Sequence, residues 1–249
     1  MKDKIYIINR KIEIASKAMI PINDYGFTRG YAVFETIKFQ NKKALRINDH
    51  IDRLFKGISF IRIENNKNIK REHIISDIDR IIKNNDLEEG LIKIVITKGT
   101  INKDNTFTPN IYITIKELYD IPKKPIKVIF YNESKYPILR FDPAIKSINY
   151  LGNMMAIEDA NIEGAFEVVF YNNNNTITEC AMRNIFFIKE NTLITPALNL
   201  GVLPGTTRQI IAKLSHNLNL KYSEEKILVN NISEMDEAFI CSSVVGILP

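Results

Sequence analysis

Apolar residues in this chain recur with two different periods, and the two kinds of stretch do not alternate regularly. Val33-Phe34-Glu35-Thr36-Ile37-Lys38-Phe39 alternates with period two, the mark of a strand with two unlike faces. The stretch Ile5-Tyr6-Ile7-Ile8, the polar turn Asn9-Arg10-Lys11 and the alternating Ile12 and Ile14 predict a hairpin. Two other stretches follow the helical period. One carries Ile51, Leu54, Phe55, Ile58 and Ile61, with Asn48 as its expected N-cap. The other carries Ile74, Ile75, Ile78, Ile81 and Ile82. Strands and helices mixed in this way, outside strict βαβ order, predict an α+β chain.

The same reading places a loop around Pro21, Asn23-Asp24 and Gly26, and strands at 91–98, 110–116 and 126–131. Periodicity lapses at Glu117-Leu118-Tyr119-Asp120-Ile121-Pro122-Lys123-Lys124-Pro125, where two prolines favour a connection. Two subdomains are therefore expected, 1–118 and 126–249, joined by 119–125. In the second, a helix over 153–162 should stop at Gly164. Strands at 166–171 and 176–178 should flank the Asn172–Asn175 turn, with another at 184–189. Gly205-Thr206-Thr207 should open a helix carrying Ile210, Ile211, Leu214 and Leu218, and strands at 226–229 and 238–242 should close the chain.

With 249 residues and 45% hydrophobic side chains, the chain can bury a core without staples. The two cysteines, Cys180 and Cys241, imply neither a disulfide framework nor a metal site. No apolar stretch is long enough to span a bilayer, and no signal-peptide pattern opens the sequence, so a soluble, cytoplasmic protein is expected. The net charge of +5 is dispersed. Its densest group, Lys67, Lys70 and Arg71, has no interleaved aromatics and reads as a solvated helix flank rather than a nucleic-acid footprint. A mild positive excess suits an anionic small molecule. There is no dinucleotide fingerprint, phosphate loop, zinc-protease helix or nucleophile elbow. His50, His73 and His216 lie far apart, and no metal is expected.

Lys146 stands out within Phe-Asp-Pro-Ala-Ile-Lys-Ser-Ile-Asn-Tyr-Leu-Gly-Asn, residues 141–153. A lysine among apolar groups such as Ala144, Ile145 and Ile148 is biased towards its neutral form, because desolvation disfavours the ammonium. A neutral amine attacks an aldehyde, so Lys146 is a candidate Schiff-base former.

Several runs occur in a fixed order: Arg29-Gly30-Tyr31-Ala32-Val33-Phe34-Glu35-Thr36, His50-Ile51-Asp52-Arg53-Leu54 and Lys146-Ser147-Ile148-Asn149-Tyr150-Leu151. Thr178-Glu179-Cys180-Ala181-Met182-Arg183-Asn184-Ile185-Phe186, Thr195-Pro196, Gly201-Val202-Leu203-Pro204-Gly205-Thr206-Thr207-Arg208 and Asp236-Glu237-Ala238-Phe239 follow. From about residue 5 onward the chain resembles the class IV aminotransferases, the fold-type-IV pyridoxal-phosphate (PLP) enzymes. The resemblance implies two α/β subdomains with the cofactor in the cleft between them, and a homodimer.

Position by position, the resemblance assigns Lys146 to the Schiff base and to the later proton transfer at Cα. It assigns Glu179 to the pyridine nitrogen, where a carboxylate keeps the ring protonated and able to accept carbanion charge. Arg53 matches the phosphate-binding arginine, whose guanidinium fork suits phosphate oxygens. Gly205, Thr206 and Thr207 would add the free N–H groups of a helix start. Ser243 aligns with a hydroxyl reaching the phosphate, Leu203 with a leucine packed on the ring, and Tyr150 with a hydrogen-bonding partner of the phenolic oxygen. Leu203 and Tyr150 would look the same as packing residues.

The resemblance leaves the second half of the reaction open. Amino transfer to a 2-oxo acid, from a substrate that includes the branched-chain class, is the first expectation. Elimination by a 4-amino-4-deoxychorismate lyase, giving pyruvate and 4-aminobenzoate on the folate route, is the alternative. Thr36 leans towards the lyase, in which such a threonine assists proton handling. Thr97-Lys98-Gly99-Thr100-Ile101-Asn102-Lys103 lacks the arginine-rich loop by which lyases hold substrate carboxylates, and Phe34 and Lys98 are the candidate substrate contacts. The same absence argues against a D-amino-acid aminotransferase, as does Phe34 where those enzymes place a tyrosine. Glu179-Cys180-Ala181-Met182 departs from the usual Gly/Ser-rich run. The sequence ends at Gly246-Ile247-Leu248-Pro249, where relatives continue through another segment. A PLP-fold binding protein without activity is the alternative of another class, and retention of both Lys146 and Glu179 weighs against it.

Overall fold

The computed structural model describes residues 3–63 and 69–249, so Lys67 of the basic group lies outside the described residues. The chain divides into two compact units: Met1–Tyr119 with Ile145–Ile148, and Asp120–Ala144 with Asn149–Pro249.

The first unit is built on a six-stranded antiparallel sheet. Its strands are β1 (Ile5–Ile8), β2 (Lys11–Ile14), β3 (Ala32–Gln40), β4 (Lys43–Ala44), β5 (Glu89–Ile101) and β6 (Phe107–Lys116), in the order β2-β1-β6-β5-β3-β4. The expected opening hairpin forms, with Ile7 opposite Ile12 and both turn residues, Asn9 and Arg10, at positive φ. Two such residues make the turn whose twist matches that of paired strands.

The alternation of β3 sorts its side chains. Val33, Ile37 and Phe39 join the buried core with Ile92, Ile94 and Ile96 of β5. Helices α2 (Ile47–Phe60) and α3 (Arg71–Asn84) cover that core with Ile51, Leu54 and Ile58, and with Ile74, Ile78, Ile81 and Ile82. Each of these side chains contributes on the order of 2 kcal/mol by leaving water.

Two local expectations are corrected. Asn48 does not cap α2: the N-cap is Arg46 in a left-handed conformation, and Asn48 sits inside the first turn, accepting from Arg71 Nη2 at 3.2 Å. The loop before β3 contains a short helix, α1 (Tyr25–Arg29), capped by Asp24. Asp24 is buried and accepts from the Gly26 amide (2.6 Å), Thr97 Oγ1 (2.9 Å), Asn110 Nδ2 (2.7 Å) and Tyr112 Oη (2.7 Å). Burial, and then Asp24, push the Tyr112 phenol well above its ordinary range. Four donors from α1, β5 and β6 thus fix the approach to β3.

Residues 145–148 belong by their contacts to the first unit, although the sequence reading put Lys146 in the second subdomain. The cause is backbone pairing along β3. The Phe34 amide donates to the Lys146 carbonyl (2.8 Å), the Ile148 amide donates to that of Ala32 (3.2 Å), and Ser147 bridges Val33.

The second unit contains a three-stranded sheet of β7 (Val128–Asn132), β8 (Glu167–Tyr171) and β9 (Ile177–Cys180). Its five-stranded sheet comprises β10 (Asn184–Lys189), β11 (Thr192–Pro196), β12 (Lys221–Glu225), β13 (Glu237–Ser242) and β14 (Gly246–Leu248), ordered β12-β11-β10-β13-β14. Helix α4 (Leu151–Ile162) links the parallel pair β7 and β8; α5 (Thr206–Asn217) links the parallel pair β11 and β12. The strand expected at 226–229 is displaced to the polar run Lys-Tyr-Ser-Glu-Glu of β12, an edge strand exposed enough to tolerate polar residues. Ile227 instead turns into the core.

Candidate active site

In the first unit, the face of β3 opposite the helices carries Phe34 and Thr36, as the period-two pattern requires. The pairing of 145–148 with β3 brings Lys146 to this face: its Nζ lies 4.4 Å from the centre of the Phe34 ring. Lys93 of β5 is the cross-strand partner of Thr36, and its Nζ lies 4.9 Å from the same ring. Sequence reasoning missed Lys93, although its place in an alternating strand put it on the same face as Val95. Partial desolvation, then the charges of Lys146 and Lys116, lower its proton affinity. Lys98 is placed differently. Its ammonium donates to the Arg62 carbonyl at 2.7 Å and lies over the rings of Phe107 and Tyr31.

Arg53 lies on α2. Its Nε and Nη2 donate to the two carboxylate oxygens of Glu35, at 2.6 and 2.8 Å, and His50 Nδ1 lies 2.8 Å from Glu35 Oε2. Glu35 is fully buried. Burial alone would raise its pKa, but the Arg53 charge and the hydrogen bonds of Arg53 and His50 outweigh this and hold it at about 2. Glu35 takes two of the five guanidinium N–H groups and fixes the plane in which the others point. Glu35 and His50 were not selected as site residues by sequence. The signal was available: an acidic residue on the core face of a strand, and His50 and Arg53 at i, i+3 on one helix face.

In the second unit, Glu179 near the end of β9 is held from two sides. Arg140 Nη1 donates to Oε1 at 2.5 Å, and the Leu203 amide donates to Oε2 at 3.0 Å. Leu203 is in turn linked to the start of α5. Its carbonyl accepts from Asn184 Nδ2 (2.9 Å) and from the Gly205 amide (2.8 Å). Gly205 is the N-cap residue of α5 and has no side chain for a reason of space, since a Cβ there would lie 2.0 Å from Asn184 Oδ1. Thr206 and Thr207 form the first turn, whose amides have no acceptor within the helix. The structure therefore ties Glu179, Leu203, Gly205, Thr206 and Thr207 into one connected segment. Tyr150 stands as the N-cap residue of α4, and Ser243 in the turn between β13 and β14.

These residues fit PLP by their chemistry. The glycine-opened helix start suits a phosphate, as does the arginine fork of Arg53. A fixed carboxylate suits a pyridinium, and Lys146 supplies a primary amine for the aldehyde. Among the described residues no cluster of side chains has the makings of a metal site, and no helix is long and apolar enough to cross a membrane.

The family model for class IV amino-transferases matches residues 32–249. The chain belongs to the class IV aminotransferase family. A D-alanine aminotransferase of Listeria monocytogenes serotype 4b is 28% identical over 99% of this aminotransferase-family chain and 86% of its own length. The solved branched-chain amino acid aminotransferase of Escherichia coli superposes with a TM-score of 0.86 at 22% identity, covering 100% of this chain and 85% of its own. The PLP form of the Thermobaculum terrenum branched-chain enzyme gives 0.84 at 24% identity, covering 99% and 84%. The mixed α/β architecture read from the sequence agrees with the fold of both.

Proposed function

We propose that this class IV aminotransferase uses PLP to move an amino group between an amino acid and a 2-oxo acid. The observation that carries the reading is the placing of Lys146. Backbone pairing with β3 presents its amine on the sheet face opposite the helices, beside the Phe34 ring. PLP, when bound, supplies the electron sink that makes Cα acidic.

The chain's own groups have separate tasks in this reading. Lys146 would hold the cofactor through its amine and would move the proton at the substrate's Cα. Glu179 takes the ring nitrogen. Arg53 and the amides of Gly205, Thr206 and Thr207 take the phosphate, with the Ser243 hydroxyl as a further donor. Tyr150 is assigned to the phenolic oxygen and Leu203 to one ring face. Phe34 borders the substrate, and its ring keeps water from the Lys146 amine. Lys98 lies further along β5 and is assigned to the substrate through its positive charge.

Transfer is favoured over elimination because residues 97–103 contain no arginine to hold the second carboxylate of an aminodeoxychorismate. The deciding assay is paired. The protein receives D-alanine or a branched-chain L-amino acid with 2-oxoglutarate, and separately aminodeoxychorismate. Glutamate formation is the expected result. Release of 4-aminobenzoate without glutamate would transfer the assignment to the lyase, and Thr36→Ala should then damage turnover most. Failure to bind PLP at all would leave a binding protein on this fold.

Assembly as a homodimer belongs to the same proposal. It is supported by the apolar side chains of Met19, Ile20, Ile22 and Phe27, all exposed in the single chain. Sedimentation should give twice the monomer mass, and Ile22→Glu should reduce it.

A further inference from the structure

Arg140 was not singled out by the sequence, and the structure surrounds it with fixed partners. Its Nε donates to Glu133 Oε2 at 2.6 Å, Nη1 to Glu179 Oε1 at 2.5 Å and Nη2 to Thr178 Oγ1 at 3.0 Å. Each guanidinium nitrogen therefore has a partner of its own, and the plane of the group is set from three directions. The side chain also lies against the Phe170 ring, with 6.0 Å from the guanidinium carbon to the ring centre. On another side it is crossed by the turn at Gly201. That residue is at φ +75°, and a Cβ there would meet Arg140 Cβ and Cδ at 3.2 and 3.3 Å. The same turn leads to Leu203, whose amide holds the second oxygen of Glu179.

The cluster is largely buried: Arg140 is only 22% exposed, Glu133 14% and Glu179 16%. A carboxylate fixed in this way is placed to accept from a protonated ring nitrogen. Arg140 Nη1 and the Leu203 amide both donate to Glu179, and a carboxylate already held by donors stays an acceptor, which leaves the shared proton on the ring.

We propose that Arg140 is a positioning residue for the cofactor: it fixes the Glu179 carboxylate and, through it, keeps the proton on the pyridine nitrogen. The inference rests on the reading that PLP binds with its ring nitrogen at Glu179. Removing Arg140 should turn the pair from carboxylate and pyridinium towards carboxylic acid and neutral pyridine, which weakens the electron sink.

The test uses holoenzyme loaded with PLP labelled with nitrogen-15 in the ring, whose chemical shift reports the ring proton. The PLP dissociation constant is measured by titration of the apoprotein. The wild type should show a protonated ring nitrogen at neutral pH. Arg140→Met should move the resonance towards neutral pyridine and weaken PLP binding about tenfold, as expected when a charge-assisted contact is disturbed. Arg140→Lys should recover part of the shift. Should Arg140→Met fail to fold, Arg140→Gln, uncharged but still able to donate, should move the resonance in the same direction. A wild-type resonance in a folded Arg140→Met or Arg140→Gln protein would overturn the proposal. If Glu179→Gln moves the resonance in that case, the assignment of Glu179 stands and only the role of Arg140 falls. If wild-type protein takes up no labelled PLP, both fall.

Discussion

Arg53 grips Glu35 at both carboxylate oxygens, through Nε at 2.6 Å and Nη2 at 2.8 Å, across the contact between α2 and β3. One partner is a candidate phosphate ligand and the other is fully buried, so site geometry and stability share a single ion pair. Breaking a buried pair from one side costs about 3–5 kcal/mol, because the remaining charge is left without compensation.

Acid should expose this pair. The Glu35 carboxyl is held at about 2 against an ordinary 4.5. A lowered folded-state value contributes stability that is fully present above 4.5 and is lost as pH falls towards 2. The contribution is on the order of 3 kcal/mol. Urea unfolding at pH 6, 4 and 2.5 should show the wild type losing stability through this window. Glu35→Gln should start lower at pH 6 and lose much less on acidification. Parallel losses in the two proteins would contradict the assignment.

Arg53→Leu should separate phosphate recognition from the rest of the cofactor. Affinity for PLP should fall by about tenfold or more, the value of a lost charge-assisted contact, while affinity for pyridoxal, which has no phosphate, should change little. Calorimetric titration of the apoprotein with each compound measures this. Because Glu35 also loses its partner, thermal unfolding is recorded alongside, and only temperatures at which the variant is folded are compared.

Lys146→Ala should abolish the visible absorption band that bound PLP acquires on reaction with the lysine. Turnover should fall by at least about a thousandfold, roughly 4 kcal/mol of barrier. The backbone pairing of Lys146 with Phe34 does not depend on the side chain, so the unfolding midpoint should stay near that of the wild type. A band that survives in the variant would point to another amine. Lys93 is then the group to examine, since it lies 4.9 Å from the same phenylalanine ring.

Gly205→Ala tests the helix start. The new methyl would fall 2.0 Å from Asn184 Oδ1, so Asn184 must release the Leu203 carbonyl or α5 must shift. Overpacking of this kind costs about 1–3 kcal/mol. Loss of PLP affinity is expected as well, because the first-turn amides move with the helix. Chemical denaturation and PLP titration read the two effects separately, and a variant with both unchanged would show that the turn is not a phosphate seat.

The local pattern made much of the first unit legible. The turn at Asn9 and Arg10, the alternation of β3 and the apolar stripes of α2 and α3 each depend on neighbours a few residues away. The same is true of Gly205 opening α5. Where the expectation missed, a distant partner had overridden the local preference. β12 is polar because it is an edge strand beside β11. Asn48 does not cap α2, and it accepts a hydrogen bond from Arg71, 23 positions away.

The sequence by itself determined the chemistry available: a lysine fit for an aldehyde, a carboxylate fit for a ring nitrogen, a glycine-opened helix and an arginine fit for a phosphate. The tertiary structure decided how those groups are held. It alone placed Lys146 on β3 of the first unit, Arg140 on Glu179 at a separation of 39 residues, and Glu35 between His50 and Arg53. Side-chain identity is carried by each residue, whereas the charge and hydrogen-bond environment that tunes it comes from partners far along the chain, which no local period encodes.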